Sequence, residues 1–278
     1  MCGFCGFTGQ VAGREEVIRE MADRITHRGP DSEGYYLDGS IAMAFRRLSI
    51  IDLGGGSQPI YNEDRSKVLM FNGEIYNYRS LREELLAAGH VFTTETDSEV
   101  LLHGFEEWKE DLLPRLRGMF AFAIWDKRET ALFLARDNFG IKPMHYTLLP
   151  DGDLLFGSEI KSLLAHPDFV KEFNPEALDN YLSFQYSLPR DTFFKGVYCL
   201  QPGHYLWFKE GKVKERRYFE SVFRPDETMP LEEAVDEIDR AFTDSVEAHR
   251  ISDVEVGCFL SGGVDSSFVA SYFGGHKA

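Results

Sequence analysis

The chain opens Met1-Cys2-Gly3-Phe4-Cys5, and its chemical question lies in those five residues. If Met1 is removed, which a small side chain at position two permits, Cys2 carries a thiol and a free α-amine on one residue. An α-amine of pKa about 7.7–8.0 can act as general base for that thiol, so no separate histidine is needed. On position alone, Cys2 reads equally as a small side chain near a frayed end. Cys2-x-x-Cys5 formally matches a redox pair, but such pairs follow a strand and begin a helix, and nothing strand-like precedes this one. No second Cys or His pair follows at zinc-finger spacing. Cys199 and Cys258 lie in apolar runs and read as core residues.

Four polar blocks follow: His27-Arg28-Gly29-Pro30-Asp31, Arg46-Arg47-Leu48-Ser49-Ile50-Ile51-Asp52, Asn72-Gly73-Glu74-Ile75-Tyr76-Asn77 and Thr96-Asp97-Ser98-Glu99. Taken singly, Asn72-Gly73 is a strong hairpin-turn signal and Arg47 an ordinary surface ion-pair residue. In this order and spacing after Cys2-Gly3, the blocks resemble the class II, N-terminal-nucleophile glutamine amidotransferases. Arg136-Asp137-Asn138-Phe139-Gly140-Ile141-Lys142-Pro143, Gly157-Ser158-Glu159-Ile160-Lys161 and Leu200-Gln201-Pro202-Gly203 are similar to later blocks of that domain in glutamine-hydrolysing asparagine synthetases. Ser261-Gly262-Gly263-Val264-Asp265-Ser266-Ser267 resembles the same family's pyrophosphate-binding loop.

The resemblance implies roles. Cys2 would be the nucleophile, with the Asn72 side-chain amide and Gly73 backbone N–H as oxyanion hole. Arg47 would pair with the α-carboxylate of L-glutamine, while Glu74 and Asp97 accept from its ammonium and Leu48, Ser49, Ile50 and Ile51 line the pocket. Arg28 to Asp31 would shape the floor beneath the nucleophile, with His27 structural. In the second domain Leu260 would border ATP, and Ser261, Gly262, Gly263, Asp265 and Ser266 would cradle its pyrophosphate, with Mg²⁺ offsetting the charge and Asp265 its candidate ligand. The implied full reaction adenylates the β-carboxylate of L-aspartate, and ammonia from glutamine then yields asparagine. This chain, holding one piece of the ATP site, would show glutaminase activity alone. Relatives that adenylate other acids, such as β-lactam synthetases, share the loop, and a non-catalytic regulatory module retaining the fold is the rival from another class.

The elements that must position these residues are legible in part. Strand signals fall at Ser40–Ile50, Lys67–Phe71, Gly118–Asp126, Thr130–Arg136, Leu154–Ser158, Tyr198–Phe208 and Lys212–Tyr218. Helical spacing marks Arg14–Thr26, Tyr78–Ala88, Asp97–Trp108, Ile160–Ala165 and Pro175–Phe184. Strands and helices without βαβ alternation predict an α+β fold of layered sheets flanked by helices. The resemblance makes it a four-layer α/β/β/α sandwich over residues 2–223. Arg224–Pro230, polar with two prolines, reads as a linker. Residues 231–278 would then start an α/β nucleotide-binding synthetase domain: helix Leu231–Arg250, strand Glu255–Leu260, glycine loop, helix.

Composition excludes other classes. The chain has 278 residues, is 43% apolar and carries a net charge of −16, which disfavours nucleic-acid binding because that affinity rests on cations neutralising phosphates. No run approaches the roughly 18 apolar residues of a membrane-spanning helix, and the N-terminus lacks the flanks of a signal peptide. A cytoplasmic location, no membrane partner and, from the resemblance, a homodimer are the expectations.

Overall fold

Alternation in Lys67–Ile75 sends Val68 and Met70 to one side and Leu69 and Phe71 to the other, and all four are buried. A strand apolar on both faces belongs inside a stack of layers. The computed structural model, which describes residues 1–49 and 56–273, shows that stack. In chain order its strands are β1 (Gly3–Thr8), β2 (Ser32–Leu37), β3 (Ile41–Arg47), β4 (Ile60–Tyr61), β5 (Lys67–Ile75), β6 (Gly118–Asp126), β7 (Ala131–Arg136), β8 (His145–Leu148), β9 (Leu154–Gly157), β10 (Val197–Cys199), β11 (His204–Lys209) and β12 (Lys212–Arg217). Among the described residues they form two antiparallel sheets, ordered β10-β8-β9-β1-β3-β2 and β12-β11-β7-β6-β5-β4.

The inner faces meet in one apolar core. Phe4, Met43, Phe45 and Phe156 of the first sheet pack with Val68, Met70, Ala123 and Leu134 of the second. On the outer face of the first sheet, Cys5, Phe7, Ala42 and Ala44 receive Ile18, Met21 and Ala22 of α1 (Arg14–Asp23) and Leu163 of α4 (Ile160–Leu163). On the outer face of the second, α3 (Glu99–Trp108) lies over the sheet, its Phe105 ring 4.9 Å from that of Phe133. Beside α3 runs α2 (Tyr78–Ala88). The order is therefore α/β/β/α, as expected.

Local details depart from the sequence reading. The helix expected to Thr26 stops at Asp23, with a short 3-10 turn at Thr26–Arg28. The strand expected over Tyr198–Phe208 is cut by Pro202-Gly203, where Gly203 takes φ +66° and turns the chain between sheets. Asn72-Gly73 is no turn: both residues continue β5, paired with Ala121 and Phe120. A Cβ at 73 would overlap the Met119 carbonyl oxygen, so the glycine serves close strand approach rather than unusual dihedrals. Strands β1, β2, β4 and β8 escaped the reading, β1 because its glycines are poor strand signals.

One compact unit runs through Glu220 and a second begins at Ser221. In unit one, α5 (Pro175–Phe184) is capped by the Asn174 side chain, which accepts from Ala177 N–H. Unit two contains α6 (Leu231–Ala248) and α7 (Val264–Ser271), held by Phe242 against Phe268 with ring centroids 4.8 Å apart. The strand expected at Glu255–Leu260 is not formed: those residues are irregular, with no neighbouring strand among the described residues to pair with them.

Candidate active site

Strand alternation decides which polar side chains meet between the sheets. Phe4 faces the inner core and Cys5 the outer one, so Cys2, two before Phe4, faces inward and packs at the margin of the inner core. Cys2 and Cys5 thus lie on opposite faces and cannot form a redox pair. On β3, Ile41, Met43 and Phe45 face inward, which brings Arg47 to the same side. Gly3 pairs with Arg46, so Cys2 and Arg47 are level at the ends of neighbouring strands. On β5 the inward set Val68 and Met70 continues to Asn72 and Glu74, and β5 packs against both β1 and β3.

Two donors on β5 are notable. The Asn72 amide nitrogen is buried without a hydrogen-bond partner. Backbone direction fixes the second. Phe71 N–H bonds the Gln58 side chain at 2.6 Å and Ile75 N–H bonds Asp97 Oδ2 at 2.8 Å, both on the edge away from β6. Gly73, midway between them, turns its N–H to that same edge. Consistently, its cross-strand partner Phe120 exchanges bonds with Asp137 instead: Phe120 N–H donates to the Asp137 carboxylate at 3.1 Å and its carbonyl accepts Asp137 N–H at 2.8 Å.

Charge is arranged around this cleft. Burial pushes the Cys2 thiol up, against the opposing pull of the Leu48 backbone, the N-terminus, Arg47 and Lys142. The Cys2 Sγ accepts from Leu48 N–H and donates to Leu48 O, each at 3.3 Å. Lys142 is buried, its pKa lowered by that burial, and it interacts with both Glu74 and Cys2. Asp97 is buried, and burial first, with Glu74 adding, lifts its carboxyl to about 7. The Arg47 guanidinium lies over the backbone of Gly56, beside Thr96.

The Cys2 backbone is held from below. Arg28 Nε donates to the Cys2 carbonyl at 2.8 Å while its Nη1 donates to Glu159 Oε1 at 2.9 Å. Glu159, held to about 2 despite burial by Arg28, His27 and Lys161, keeps that arginine in place. His27 is solvent-exposed and bonds Glu159 at 2.9 Å. Asp31 accepts Ser49 N–H at 2.8 Å, so that backbone donor is engaged within the chain. Ile50 and Ile51 lie outside the described residues.

The sequence reading quoted Lys142 and Glu159 within motif blocks but gave them no role. No local signal could have, since Glu159 reaches Arg28 across 131 positions and Lys142 reaches the N-terminus across 141. In the second unit, Ser261, Gly262, Gly263, Asp265 and Ser266 do gather at the start of α7. Ser261 Oγ and Ser266 Oγ are 2.9 Å apart, Gly262 has φ +81°, and Gly263 caps the helix. Leu260 precedes this loop and is exposed.

A family model described as a glutamine amidotransferase domain matches residues 1–219, and one described as asparagine synthase matches residues 237–278. The chain is 46% identical over 277 residues to asparagine synthetase (glutamine-hydrolyzing) 1 of Bacillus subtilis (strain 168), covering 98% of this chain and 43% of that protein. It is 34% identical over 275 residues to asparagine synthetase B (glutamine-hydrolyzing) of Escherichia coli (strain K12), covering 98% and 44%. It thus spans less than half the length of these relatives. Among solved structures, a glutamine phosphoribosylpyrophosphate amidotransferase from B. subtilis, complexed with ADP and GMP, shares the fold at TM-score 0.57 and 18% identity over 80% of this chain and 50% of that one. The structure of an allosteric regulatory enzyme of purine biosynthesis does so at 0.60 and 19%, with the same coverage. None of the described helices is long and apolar enough to cross a membrane. With four-fifths of its sequence under one family model and the matching four-layer fold, the chain belongs to the glutamine amidotransferase domain family.

Proposed function

We propose that residues 2–223 hydrolyse L-glutamine to glutamate and ammonia with Cys2 as nucleophile. One observation carries the reading: a buried, unpartnered amide donor, Asn72 Nδ2, faces the same inter-sheet space as the only cysteine on the inner margin of β1. A buried donor left without a partner is disfavoured by about 1–3 kcal/mol unless a ligand uses it.

The Cys2 thiolate attacks the glutamine carboxamide carbon. The oxygen becomes an oxyanion between Asn72 Nδ2 and Gly73 N–H, ammonia leaves with the proton taken from the thiol, and water then hydrolyses the thioester. The base is the Cys2 α-amine once Met1 is removed; Met1 is exposed and accessible to that processing. The Met1 amine is already lowered by burial and by Arg28 and Lys142. An amine one residue further in would meet the same two cations, which act in the direction that favours its unprotonated form. Arg47 takes the substrate carboxylate and Asp97 with Glu74 the ammonium, with Leu48, Ser49, Ile50 and Ile51 lining the pocket. Lys142, between Glu74 and Cys2, holds the second carboxylate and favours the thiolate.

We further propose that Arg224–Pro230 links this domain to residues 231–278, the start of an ATP-using synthetase domain. There the Leu260–Ser266 loop binds the pyrophosphate of ATP with Mg²⁺, and the whole protein adenylates L-aspartate and makes asparagine. Support comes from the 42-residue asparagine synthase match and the names of the relatives. A cytoplasmic homodimer is the corresponding setting. The decisive assay measures glutamate and ammonia release from glutamine by the chain and by Cys2→Ala; equal release by both would place the nucleophile elsewhere.

A further inference from the structure

We propose that Glu63, His90, His103 and Glu106 form a binding site for one divalent transition-metal ion, zinc by donor chemistry, on the far side of the second sheet from the cleft. These four side chains come from three segments: the turn after β4, the residue that follows the Gly89 cap of α2, and α3. Their donor atoms all lie within 4.8 Å of one another.

The spacing favours coordination over hydrogen bonding. A tetrahedral ion with bonds of about 2.0–2.1 Å sets its donors about 3.3 Å apart. His103 Nδ1 lies 3.4 Å from Glu106 Oε2 and 3.6 Å from Glu63 Oε1. His90 Nδ1 lies 3.5 Å from Glu63 Oε1 and 4.0 Å from Glu106 Oε2. These are long for N–H···O bonds, which cluster at about 2.7–3.2 Å, and the three shortest lie close to the edge of such a tetrahedron. Two imidazoles with two carboxylates suit zinc; calcium and magnesium prefer oxygen alone.

The surroundings are built to orient the ligands. His103 is buried, and its other nitrogen, Nε2, faces Glu99 Oε1 at 3.4 Å. Both ring nitrogens thus face a carboxylate at the same distance, and an ion on Nδ1 would leave the Nε2 proton to Glu99, the usual support of a metal-bound histidine. Glu99 is itself locked by Thr93 and Thr94 N–H, both at 2.8 Å. The second oxygen of Glu106 accepts from Asn62 Nδ2 at 2.7 Å, leaving Oε2 for the ion. Lys67 Nζ, 3.7 Å from that second oxygen, is the nearby cation. A cavity of about 340 Å³ lined by Asn62, Glu63, Thr93, Thr94 and Glu99 adjoins the cluster at Glu63. A bound ion would tie the α2–α3 connection to the edge of the sheet. Asp97 sits at the end of that connection, so the metal braces the segment that carries it. Its competitor is a proton shared among His103 and the same carboxylates.

The test uses untagged chain, stripped with chelator, desalted and titrated with Zn²⁺ against a chromogenic chelator, with thermal melts in parallel. Expected are one zinc per chain, a rise in Tm on zinc addition but not on Mg²⁺ addition, and both effects intact in Cys2→Ala. Losing a ligand should weaken zinc binding at least about tenfold, by analogy with the loss of supporting partners. His90→Ala and Glu63→Gln, at partly open positions, should do so and abolish the Tm rise while melting metal-free like the metal-free parent. Unchanged zinc affinity in both variants, loss of binding in Cys2→Ala, or an equal response to Mg²⁺ would overturn the proposal.

Discussion

Asn72→Ala separates catalysis from folding in a way the structure makes quantitative. The Asn72 amide nitrogen is buried, at 2% residue exposure, and bonds nothing in the folded protein. Truncation relieves an unsatisfied donor, a gain of about 1–3 kcal/mol, and loses a similar amount of side-chain packing. The two nearly cancel, so Tm should move by only a few degrees. The donor's use comes when an oxyanion forms opposite Cys2, where losing one such donor lowers kcat by about 100- to 1,000-fold, equivalent to about 2.7–4 kcal/mol. Since the bond strengthens at the tetrahedral stage, KM for glutamine should change little. The assay is steady-state glutamate release at saturating glutamine, beside a thermal melt of the same preparation. A loss of activity below tenfold, or one accompanied by a collapse in Tm, would refute the oxyanion role and make Asn72 a packing residue.

Mass spectrometry of active protein should find Met1 absent; full glutaminase activity in protein retaining Met1 would remove the α-amine from the mechanism. Because Asp97 is raised to about 7 by burial and Glu74, the folded state holds a proton that the unfolded state gives up near its ordinary value of about 3.9. Its ionisation therefore erodes stability as pH rises from about 4 to about 7. Asp97→Asn should flatten the denaturant-measured stability profile in that window, and an unchanged slope would count against the shift. In the unsubstituted chain, KM for glutamine should climb as pH falls below about 7, since the ammonium needs the ionised carboxylate. Arg28→Met should lower kcat by disengaging the Cys2 carbonyl while retaining cooperative unfolding, and unaltered kcat would deny it a positioning role. Gly73→Ala should lower Tm markedly, because its methyl meets the Met119 carbonyl; a Tm equal to the parent's would mean the strands can part there without penalty.

Local pattern made some of this readable. Tyr78–Ala88 carries Leu81 and Leu85 one turn apart before Gly89, and the helix occupies those bounds, because such a signal lies within the segment that folds. The identity of the polar blocks, read together, pointed to a cysteine amidotransferase, and the family match and sandwich agree. Local pattern failed where neighbours decide: β1 is a central strand because β3 and β9 flank it, and Asn72-Gly73 stays extended because β6 pairs with it.

The resemblance carried by the polar blocks supplied the list Cys2, Arg47, Asn72, Glu74 and Asp97, but not the cleft. That depends on two-residue alternation along three strands, and on a register that sets Cys2 level with Arg47 and brings β5 against both. Lys142 beside Cys2 and Glu159 under Arg28 stood in motif blocks without a role, and the cluster of Glu63, His90, His103 and Glu106 was not read at all. Their partners are distant in the chain, and only the packing of sheets and helices converts such separations into a few ångströms.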